Sequence, residues 1–215
     1  MYVEVRNITK ILEKNVILDN ISCSFDSGKI YGIRGVNGSG KTMLLKAIAG
    51  LAKVDQGEII VGGQKLERGN EFPQDVSALI ENPGMIPNYS GLKNLLILSQ
   101  IRNRVSKQEI IDYMKRFKLD PTDNKKLKKY SLGMKQKIGI IAALMEDSKL
   151  ILLDEPTNAL DKDSITTLNE MLFEQKQKGN LIIITSHDSE ELNLVSDEVY
   201  EIEAGKMKDR RTVNE

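Results

Sequence analysis

One stretch of eight residues constrains the fold more than any other, because it has the spacing of a phosphate-binding loop. Its residues are Gly35-Val36-Asn37-Gly38-Ser39-Gly40-Lys41-Thr42. An apolar run at 29–33 suits a buried strand before it, and helix-forming residues follow up to Gly50. In this context backbone N–H groups face a phosphate, Lys41 reaches the β- and γ-phosphates, and the Thr42 hydroxyl can ligate Mg²⁺. The stretch predicts nucleoside triphosphate binding rather than a glycine-rich turn with a solvated lysine.

Composition narrows the fold class. The chain has 215 residues, enough for one α/β domain with a well-filled core. It has no Trp and only 5% aromatic residues, so the core must be aliphatic, which suits a parallel sheet covered by helices. Lys and Arg together number 31, as do Asp and Glu. This balance argues against a broad nucleic-acid-binding face and leaves a local basic patch open.

The sequence also bears on the cellular compartment. The one cysteine, Cys23, cannot form an intramolecular disulfide and is interpreted as a small core or edge residue, which fits a reducing compartment. No signal peptide is recognisable, and the longest apolar run, 138–145, is far shorter than a membrane span. We therefore expect a soluble chain.

Several patterns predict β-structure around the phosphate-binding loop. Residues 2–25 alternate in short stretches typical of strands joined by turns, and residues 57–63 predict a strand closed by a Gly-Gly turn. Together they predict an antiparallel layer that flanks the nucleotide. Residues 76–80 predict another apolar strand, and a loop at 81–88 follows it.

The apolar period becomes helical after residue 91. Residues 91–117 have apolar side chains at helical spacing, and Ser106 and Glu109 have the spacing of a capping box. A long apolar helix ends near Met145, so we expect a helical subdomain over about residues 85–145. Four lysines within it are interpreted as part of a solvated loop, namely Lys125, Lys126, Lys128 and Lys129.

Two carboxylates, Asp154 and Glu155, come directly after the aliphatic residues 150–153. In a parallel sheet they would lie at the carboxyl end of a buried strand, where ligands bind. Asp154 would then hold Mg²⁺, and Glu155 would orient or deprotonate the attacking water. The alternative is a strand end with two solvated acids, because an apolar run followed by Asp-Glu is common.

The only histidine also follows a predicted buried strand. Residues 164–178 have a helical pattern, residues 181–185 predict the strand, and His187 lies just beyond it. A lone histidine is more often structural, but one beside a phosphate site could sense a γ-phosphate. A strand and turn at 198–207 and a polar tail at 208–215, expected to be mobile, close the sequence.

Five motifs in this order resemble the nucleotide-binding domain of an ABC transporter over about residues 2–207. They are the phosphate-binding loop, Tyr130-Ser131-Leu132-Gly133-Met134-Lys135-Gln136, Asp154-Glu155-Pro156-Thr157, Asn158-Ala159-Leu160-Asp161 and His187. The resemblance implies one domain over residues 1–215, with an α/β P-loop NTPase (RecA-like) core, an antiparallel β-subdomain and an α-helical subdomain. It also implies Mg²⁺-dependent ATP hydrolysis by two copies that enclose two ATP molecules head to tail.

The resemblance assigns roles to further residues. Each ATP would be shared between the phosphate-binding loop of one copy and Ser131, Gly133 and Met134 of the other. Ser131 suits a helix N-cap, so the helix start can offer donors to a triphosphate. Asp161 would connect the two sites across the dimer, and His187 would contact the γ-phosphate.

Three positions depart from the usual family pattern. Met134 belongs to a Ser-Leu-Gly-Met variant of the signature, which looks like the branch of bacterial drug, lantibiotic and antimicrobial-peptide exporters. Glu81 replaces a glutamine that usually ligates Mg²⁺ and touches the membrane subunit, and its negative charge in place of the amide leaves ligation of Mg²⁺ by Glu81 open. Leu12 replaces an aromatic ring that usually stacks on adenine, so aliphatic contacts from Leu12 and Val16 are expected to hold the base.

The leading hypothesis is an ATPase subunit that powers a separate membrane-spanning permease and exports drugs or antimicrobial peptides. It would bind ATP and Mg²⁺, form a homodimer with a heterodimer as the open alternative, and bind no nucleic acid. It would be cytoplasmic, on the inner face of the membrane through its permease. The loop 81–90 and the following helix are expected to receive the permease. The alternatives are an importer subunit, a soluble ABC ATPase of translation or DNA repair, and a cassette that binds ATP without hydrolysing it.

Overall fold

The computed structural model describes residues 2–66, 72–81 and 84–213, apart from the side chains of 209 and 210. In these ranges the strands are β1 (Val3–Leu12), β2 (Asn15–Phe25), β3 (Ile30–Arg34), β4 (Gln56–Val61), β5 (Gln64–Lys65), β6 (Val76–Leu79), β7 (Leu150–Asp154), β8 (Leu181–Ser186), β9 (Glu198–Glu203) and β10 (Lys206–Thr212). The α-helices are α1 (Lys41–Ile48), α2 (Gly91–Arg102), α3 (Lys107–Arg116), α4 (Leu132–Leu144), α5 (Lys162–Gln177) and α6 (Ser189–Val195).

A six-stranded sheet in the order β10-β9-β3-β8-β7-β6 forms the centre of the fold. All of its strand pairs are parallel except β9–β10. The aliphatic run in β7 is buried on both faces, because Leu150 and Leu152 join one apolar cluster while Ile151 and Leu153 join the other. This double burial explains why the strand has a continuous apolar run and no alternation.

A four-stranded antiparallel sheet, β2-β1-β4-β5, packs beside the central sheet. Its buried side chains share a cluster with α1 and with one face of the central sheet. Cys23 on β2 belongs to this cluster and is 9% exposed. The predicted antiparallel layer and the core position of Cys23 are therefore confirmed.

The helices α2, α3 and α4 lie within the stretch predicted to be helical. The capping box of α3 forms, because Ser106 Oγ accepts from the backbone N–H of Glu109 at 3.2 Å and Glu109 Oε2 accepts from that of Ser106 at 2.7 Å. These helices cover the second face of the central sheet. Within the described ranges, no helix is long and apolar enough to cross a bilayer.

The prediction of a mobile tail from residue 208 is wrong as far as Thr212. β10 pairs antiparallel with β9, from Lys206 opposite Glu203 to Thr212 opposite Glu198. Residues 214–215 of the predicted tail lie outside the described ranges. The physical reason is that backbone hydrogen bonds hold an edge strand, and these form as readily for a polar sequence whose side chains face water.

Candidate active site

One edge of the central sheet brings the predicted site residues together. β3 ends at Arg34, just before the phosphate-binding loop, β7 ends at Asp154, and β8 ends one residue before His187. β8 pairs in parallel with both β3 and β7. Because parallel neighbours end on the same side of a sheet, the loop, the carboxylates and the histidine share one crevice.

The phosphate-binding loop is shaped as an open cradle. Gly35 lies so close to the carbonyl of Ile202 and to Ser39 Oγ that a Cβ would lie 2.4 Å from each. Gly38 has φ +80°, and no described atom lies within 4 Å of its Cβ position. α1 begins after Gly40, and no described side chain caps it. Its first N–H groups can therefore face an anion.

The phosphate-binding loop also contains a buried hydroxyl. Ser39 is 3% exposed, and its Oγ has no hydrogen-bond partner in the part of the chain that the structure describes. Leaving such a group unpaired costs about 1–3 kcal/mol. This Oγ lies against Gly35 on the side of Ile202, so the loop itself encloses it. The donors that fit the phosphate groups of the predicted nucleotide are the uncapped N–H groups at the start of α1 and the ammonium of Lys41.

Lys41 is the buried cation of the site, at 4% exposure. Its Nζ donates to the carbonyls of Gly35 at 2.7 Å and Val36 at 3.2 Å, and lies 3.3 Å from Glu155 Oε1. The two carbonyls hold the ammonium against the loop. Lys41 therefore connects the phosphate cradle to the carboxylate predicted to act as the base.

Thr42 and Asp154 form the predicted metal pair. Thr42 Oγ1 donates to Asp154 Oδ2 at 2.8 Å, and Thr185 Oγ1 donates to Asp154 Oδ1 at 2.8 Å. Among the described residues, no group of three or more His, Cys, Asp and Glu could hold a metal unaided. Mg²⁺ usually keeps several waters and binds one or two carboxylates together with substrate phosphates, so the Thr42 hydroxyl and the Asp154 carboxylate fit it.

Glu155 is held in a strained backbone conformation, with φ +44°. Its N–H donates to Thr185 Oγ1 at 2.9 Å, and its Oε2 accepts from Asn158 Nδ2 at 2.9 Å. Such strain persists only where the surroundings fix it. Burial raises the pKa of Glu155, but the bonds from Asn158 and Lys41 outweigh that effect and hold the pKa below its ordinary value. The carboxylate is therefore ionised and able to accept a proton.

His187 lies on the open side of the site. Its side chain is 57% exposed, and its Nδ1 is 3.5 Å from Glu155 Oε2. The only histidine is thus next to the predicted base, as its place after β8 suggests. Its contact with a γ-phosphate stays a prediction.

The start of α4 carries the signature residues. Ser131 Oγ accepts from the backbone N–H of Met134 at 3.2 Å, so the predicted N-cap is confirmed. A Cβ at Gly133 would lie 2.6 Å from the carbonyl of Ala159, so only glycine fits this approach. The signature therefore packs against the turn that follows Glu155. The contact of Ser131, Gly133 and Met134 with the ATP of a second copy stays a prediction.

Asp161 has a local role in this structure as the N-cap of α5. Its Oδ1 accepts from the backbone N–H of Ser164 at 2.8 Å and from Ser164 Oγ at 2.7 Å, and its Oδ2 accepts from Lys137 Nζ at 3.2 Å. The bonds from Ser164, and then the one from Lys137, lower the pKa of Asp161 to about 2. The role of Asp161 in connecting the two ATP sites of a dimer stays a prediction, and it would be additional to these contacts.

Glu81 pairs with a lysine of α1. Glu81 Oε1 lies 2.6 Å from Lys46 Nζ, and the Glu81 side chain is 59% exposed. Glu81 follows β6, whose neighbour β7 ends at Asp154, so it lies on the same edge of the sheet. To ligate Mg²⁺, its carboxylate would have to leave Lys46.

The hairpin of β1 and β2 carries the residues predicted to hold adenine. Ile11 is opposite Val16, and Leu12 is opposite Asn15. Directly opposed residues share a face, so the register places Leu12 and Val16 on opposite faces. Ile11, Leu12 and Val16 are 43%, 42% and 51% exposed. We expect either Leu12 or the pair of Ile11 and Val16 to contact the base, not Leu12 and Val16 together.

Glu191 is a functional candidate that no sequence motif marks. Its Oε2 accepts from Thr157 Oγ1 at 2.8 Å and from Ser186 Oγ at 3.0 Å. Thr157 lies two residues after Glu155, and Ser186 directly precedes His187. Glu191 therefore ties the segment of the base to the segment of the histidine. In the sequence, only the position of Glu191 four residues after His187 could have pointed to it. That spacing does not predict the hydrogen bonds with Thr157 and Ser186.

We expect Glu191→Ala to lower kcat by on the order of 10²-fold, because a shift of about 1 Å in catalytic groups has that effect. The KM for ATP should change little, since the cradle is untouched. Glu191→Gln keeps an acceptor oxygen and should recover most of the rate. Steady-state ATP turnover would be measured beside thermal unfolding, with Glu190→Ala on the same helix as the control. A loss that Glu191→Gln shares in full, or that follows only a lower Tm, would contradict the positioning role.

Curated relatives of the chain are ATP-binding proteins of transporters. A family model described as ABC transporter matches residues 18–158, more than half of the chain. The chain is 42% identical to the uncharacterized ABC transporter ATP-binding protein YybJ of Bacillus subtilis, over 95% of this chain and 94% of that protein. It is 33% identical to the lantibiotic transport ATP-binding protein SrtF of Streptococcus pyogenes, over 95% of this chain and 88% of that protein. It is also 33% identical to the bacitracin transport ATP-binding protein BcrA of Enterococcus faecalis, over 99% of this chain and 70% of that protein.

Solved structures show the same fold. An ATP-binding subunit of an ABC transporter matches with a TM-score of 0.89 at 25% identity, over 99% of this chain and 90% of that one. A dimeric ATP-binding cassette in a post-hydrolysis state, bound to ADP and Pi, matches with a TM-score of 0.87 at 21% identity, over 99% of both chains. With the phosphate cradle and the two carboxylates at one sheet edge, these matches show that the chain belongs to the family of ABC transporter ATP-binding proteins and has their P-loop NTPase fold.

Proposed function

We propose that the chain hydrolyses ATP in the presence of Mg²⁺ and that this reaction drives a separate membrane-spanning permease. The observation that supports hydrolysis most directly is that an ionised base, Glu155, lies in contact with the buried cation of the phosphate site, Lys41. Lys41 Nζ lies 3.3 Å from Glu155 Oε1, and Thr42 Oγ1 lies 2.8 Å from Asp154 Oδ2. ATP binding alone would need Lys41 and Thr42, but it would not need a strained, ionised Glu155.

The contacts suggest how nucleotide binding prepares the base. A triphosphate in the cradle competes with Glu155 for the Lys41 ammonium, since both are anions that need the same cation. Losing this partner leaves the Glu155 carboxylate to accept a proton from water, while Asn158 still holds its Oε2. Mg²⁺ held by Thr42 and Asp154 would neutralise charge on the phosphates. His187, on the open side, would then contact the γ-phosphate.

We propose further that two copies of the chain complete each site. The signature and the phosphate-binding loop each expose one large apolar residue, Leu132 at 68% and Val36 at 69%. A second copy that supplies the missing half of each site would cover both side chains. Each chain has both halves, so a homodimer is sufficient.

A groove on the helical side fits a partner helix. It encloses about 360 Å³ between the edge strand β6, α2 and α4, and its lining includes Met85, Leu98 and Ile101. Ile101 is 76% exposed, which is unusual for a large apolar side chain that borders a groove. Gly84 and Met85, which line the groove, belong to the segment 81–90 that is expected to receive the permease. We propose that a cytoplasmic helix of the permease binds here, which would place the chain on the inner face of the membrane.

The cargo is proposed from the named relatives. Two of them, SrtF and BcrA, are named for lantibiotic and bacitracin transport. We therefore propose export of antimicrobial peptides, and we rank import of a nutrient second. The balanced net charge supports neither DNA nor RNA as a partner.

The hydrolysis proposal is tested with the purified chain. We expect phosphate release from ATP that depends on Mg²⁺ and is lost with a metal chelator. The mass in solution should shift toward a dimer when ATP is bound. ATP binding at the cradle with no turnover, even with a permease reconstituted, would reduce the chain to a binding module.

We expect the double variant Met85→Glu and Ile101→Glu to lose at least tenfold of the permease that copurifies with the wild-type chain. The reason is that two carboxylates would be buried against an apolar helix without partners. ATP turnover by the isolated chain should stay normal, because neither residue touches the cradle. Phe173→Glu, on α5 and 41% exposed, is the control for added charge. Equal copurification of both variants would place the permease contact elsewhere.

A further inference from the structure

A dense run of lysines stands out in a chain whose formal net charge is zero. Residues 125–137 contain six lysines and no Asp or Glu. Lys137 pairs with Asp161 at 3.2 Å. The lysine patch, defined as Lys125, Lys126, Lys128 and Lys129, is exposed, and among the described residues no carboxylate forms an ion pair with it.

The acids that precede the patch are engaged elsewhere. Asp120 Oδ1 accepts from the backbone N–H of Thr122 at 2.8 Å, and Asp123 Oδ1 accepts from that of Lys125 at 2.8 Å. These bonds turn the carboxylates toward the backbone of their own loop. The four lysines of the patch therefore face the surroundings without a carboxylate paired to any of them among the described residues.

The patch is held in place by the core and by hydrogen bonds to the segment that contains Pro87 and Tyr89. Leu127, in its middle, is 5% exposed and anchors the segment in the helical side of the core. Its N–H donates to the carbonyl of Tyr89 at 2.8 Å, and the N–H of Lys128 donates to that of Pro87 at 3.0 Å. Gly84 and Met85, just before Pro87 in the sequence, line the groove proposed for the permease helix. The charges are thus fixed beside the surface that would face the bilayer.

We propose that the lysine patch binds anionic phospholipid headgroups of the membrane that holds the permease. This inference rests on the proposed function, because the permease groove is what turns this face toward the bilayer. Lysine is a compact charge that pairs with phosphate without a fixed geometry, which suits mobile headgroups. Tyr89, 42% exposed beside the patch, is a residue type that lies well at headgroup depth.

The size of the effect follows from the charge count. Each lysine close to an anionic membrane surface strengthens binding by roughly fivefold. Four lysines that do not all approach equally would together contribute on the order of a hundredfold. The attraction extends over a Debye length only, so it weakens as salt is raised.

The test is sedimentation of the full chain with vesicles, in the absence of permease. We expect binding to phosphatidylcholine vesicles that contain phosphatidylglycerol, no binding to phosphatidylcholine alone, and loss of binding at high salt. The variant Lys125→Gln, Lys126→Gln, Lys128→Gln and Lys129→Gln should lose on the order of a hundredfold in affinity. Its ATP turnover should stay normal. A matched control removes the same number of charges from exposed lysines on other faces, namely Lys53, Lys107, Lys115 and Lys149.

Three results would overturn the inference. The patch variant could bind anionic vesicles as tightly as the wild type, or the control variant could lose as much affinity as the patch variant. A raised KM for ATP in the patch variant, with vesicle binding unchanged, would instead assign the lysines to nucleotide capture. The vesicle experiment contains no permease, so a negative result there does not affect the copurification test of the groove. A negative copurification result likewise does not change what the vesicle experiment says about the lysine patch.

Discussion

Glu155→Gln is expected to slow ATP hydrolysis by roughly 10² to 10⁴-fold while ATP binding is retained, since a general base contributes about that much. The amide keeps the shape of the side chain and can still meet Asn158, but it cannot accept a proton from water. The pKa of Glu155 lies below its ordinary value, so its ionisation does not limit the rate near neutral pH. Bound triphosphate takes Lys41 from Glu155, so the pKa of Glu155 should rise toward its ordinary value during turnover, and wild-type activity should fall as the pH drops through the usual carboxyl range.

The same variant should accumulate as an ATP-bound dimer. Without hydrolysis, nothing releases the two copies that share each nucleotide. Phosphate release in single turnovers and the mass in solution with and without ATP are the two measurements. Glu190→Gln, an exposed change on α6, is the control. A turnover close to that of wild type would remove Glu155 from the mechanism, and slow turnover without a dimer would contradict the shared site.

Lys41→Ala is expected to weaken ATP binding by on the order of 10² to 10³-fold, because truncating one partner of a buried charge pair costs that much. The ammonium is 4% exposed and already held at the cradle by the carbonyls of Gly35 and Val36, so little reorganisation accompanies phosphate binding. Glu155 also loses its cation, so its pKa should rise toward the ordinary value. Turnover should fall through both effects.

Titration with a fluorescent ATP analogue would measure this loss, with thermal unfolding as the check on folding. Lys41→Arg is the informative second variant, since it keeps the charge but its planar fork does not fit a site shaped for an ammonium. Lys53→Ala, an exposed change, is the control. An alanine variant that folds and binds ATP normally would show that the backbone N–H groups of the loop are sufficient without Lys41.

The site was predictable where its chemistry is local. The phosphate-binding loop needs only a strand, a run of glycines and a helix start, and those occupy consecutive residues. Asp154, Glu155 and His187 each follow an apolar run, and the rule that parallel strands end at one edge brings them together. The N-cap at Ser131 and the capping box of α3 are likewise set by residues three positions apart.

The parts that were missed depend on pairs distant in sequence. Glu191 meets Thr157 across 34 positions, and Glu81 meets Lys46 across 35. The separation of Leu12 from Val16 follows from the hairpin register, which a shift of one residue would reverse. The polar strand β10 is stabilised by backbone bonds to β9, a partner that its own side chains do not specify.

The sequence by itself determined the fold class, the phosphate cradle and the identity of the ionisable groups, because these follow from short-range patterns of glycine, aliphatic and acidic residues. Only the tertiary structure decided which groups touch. It placed Lys41 against Glu155, gave Asp154 two hydroxyl donors, and joined the segment of the lysine patch to Pro87 and Tyr89. The physical reason is that contacts between elements are fixed by strand register and core packing, which sum over the whole chain and leave no signature in any one stretch of it.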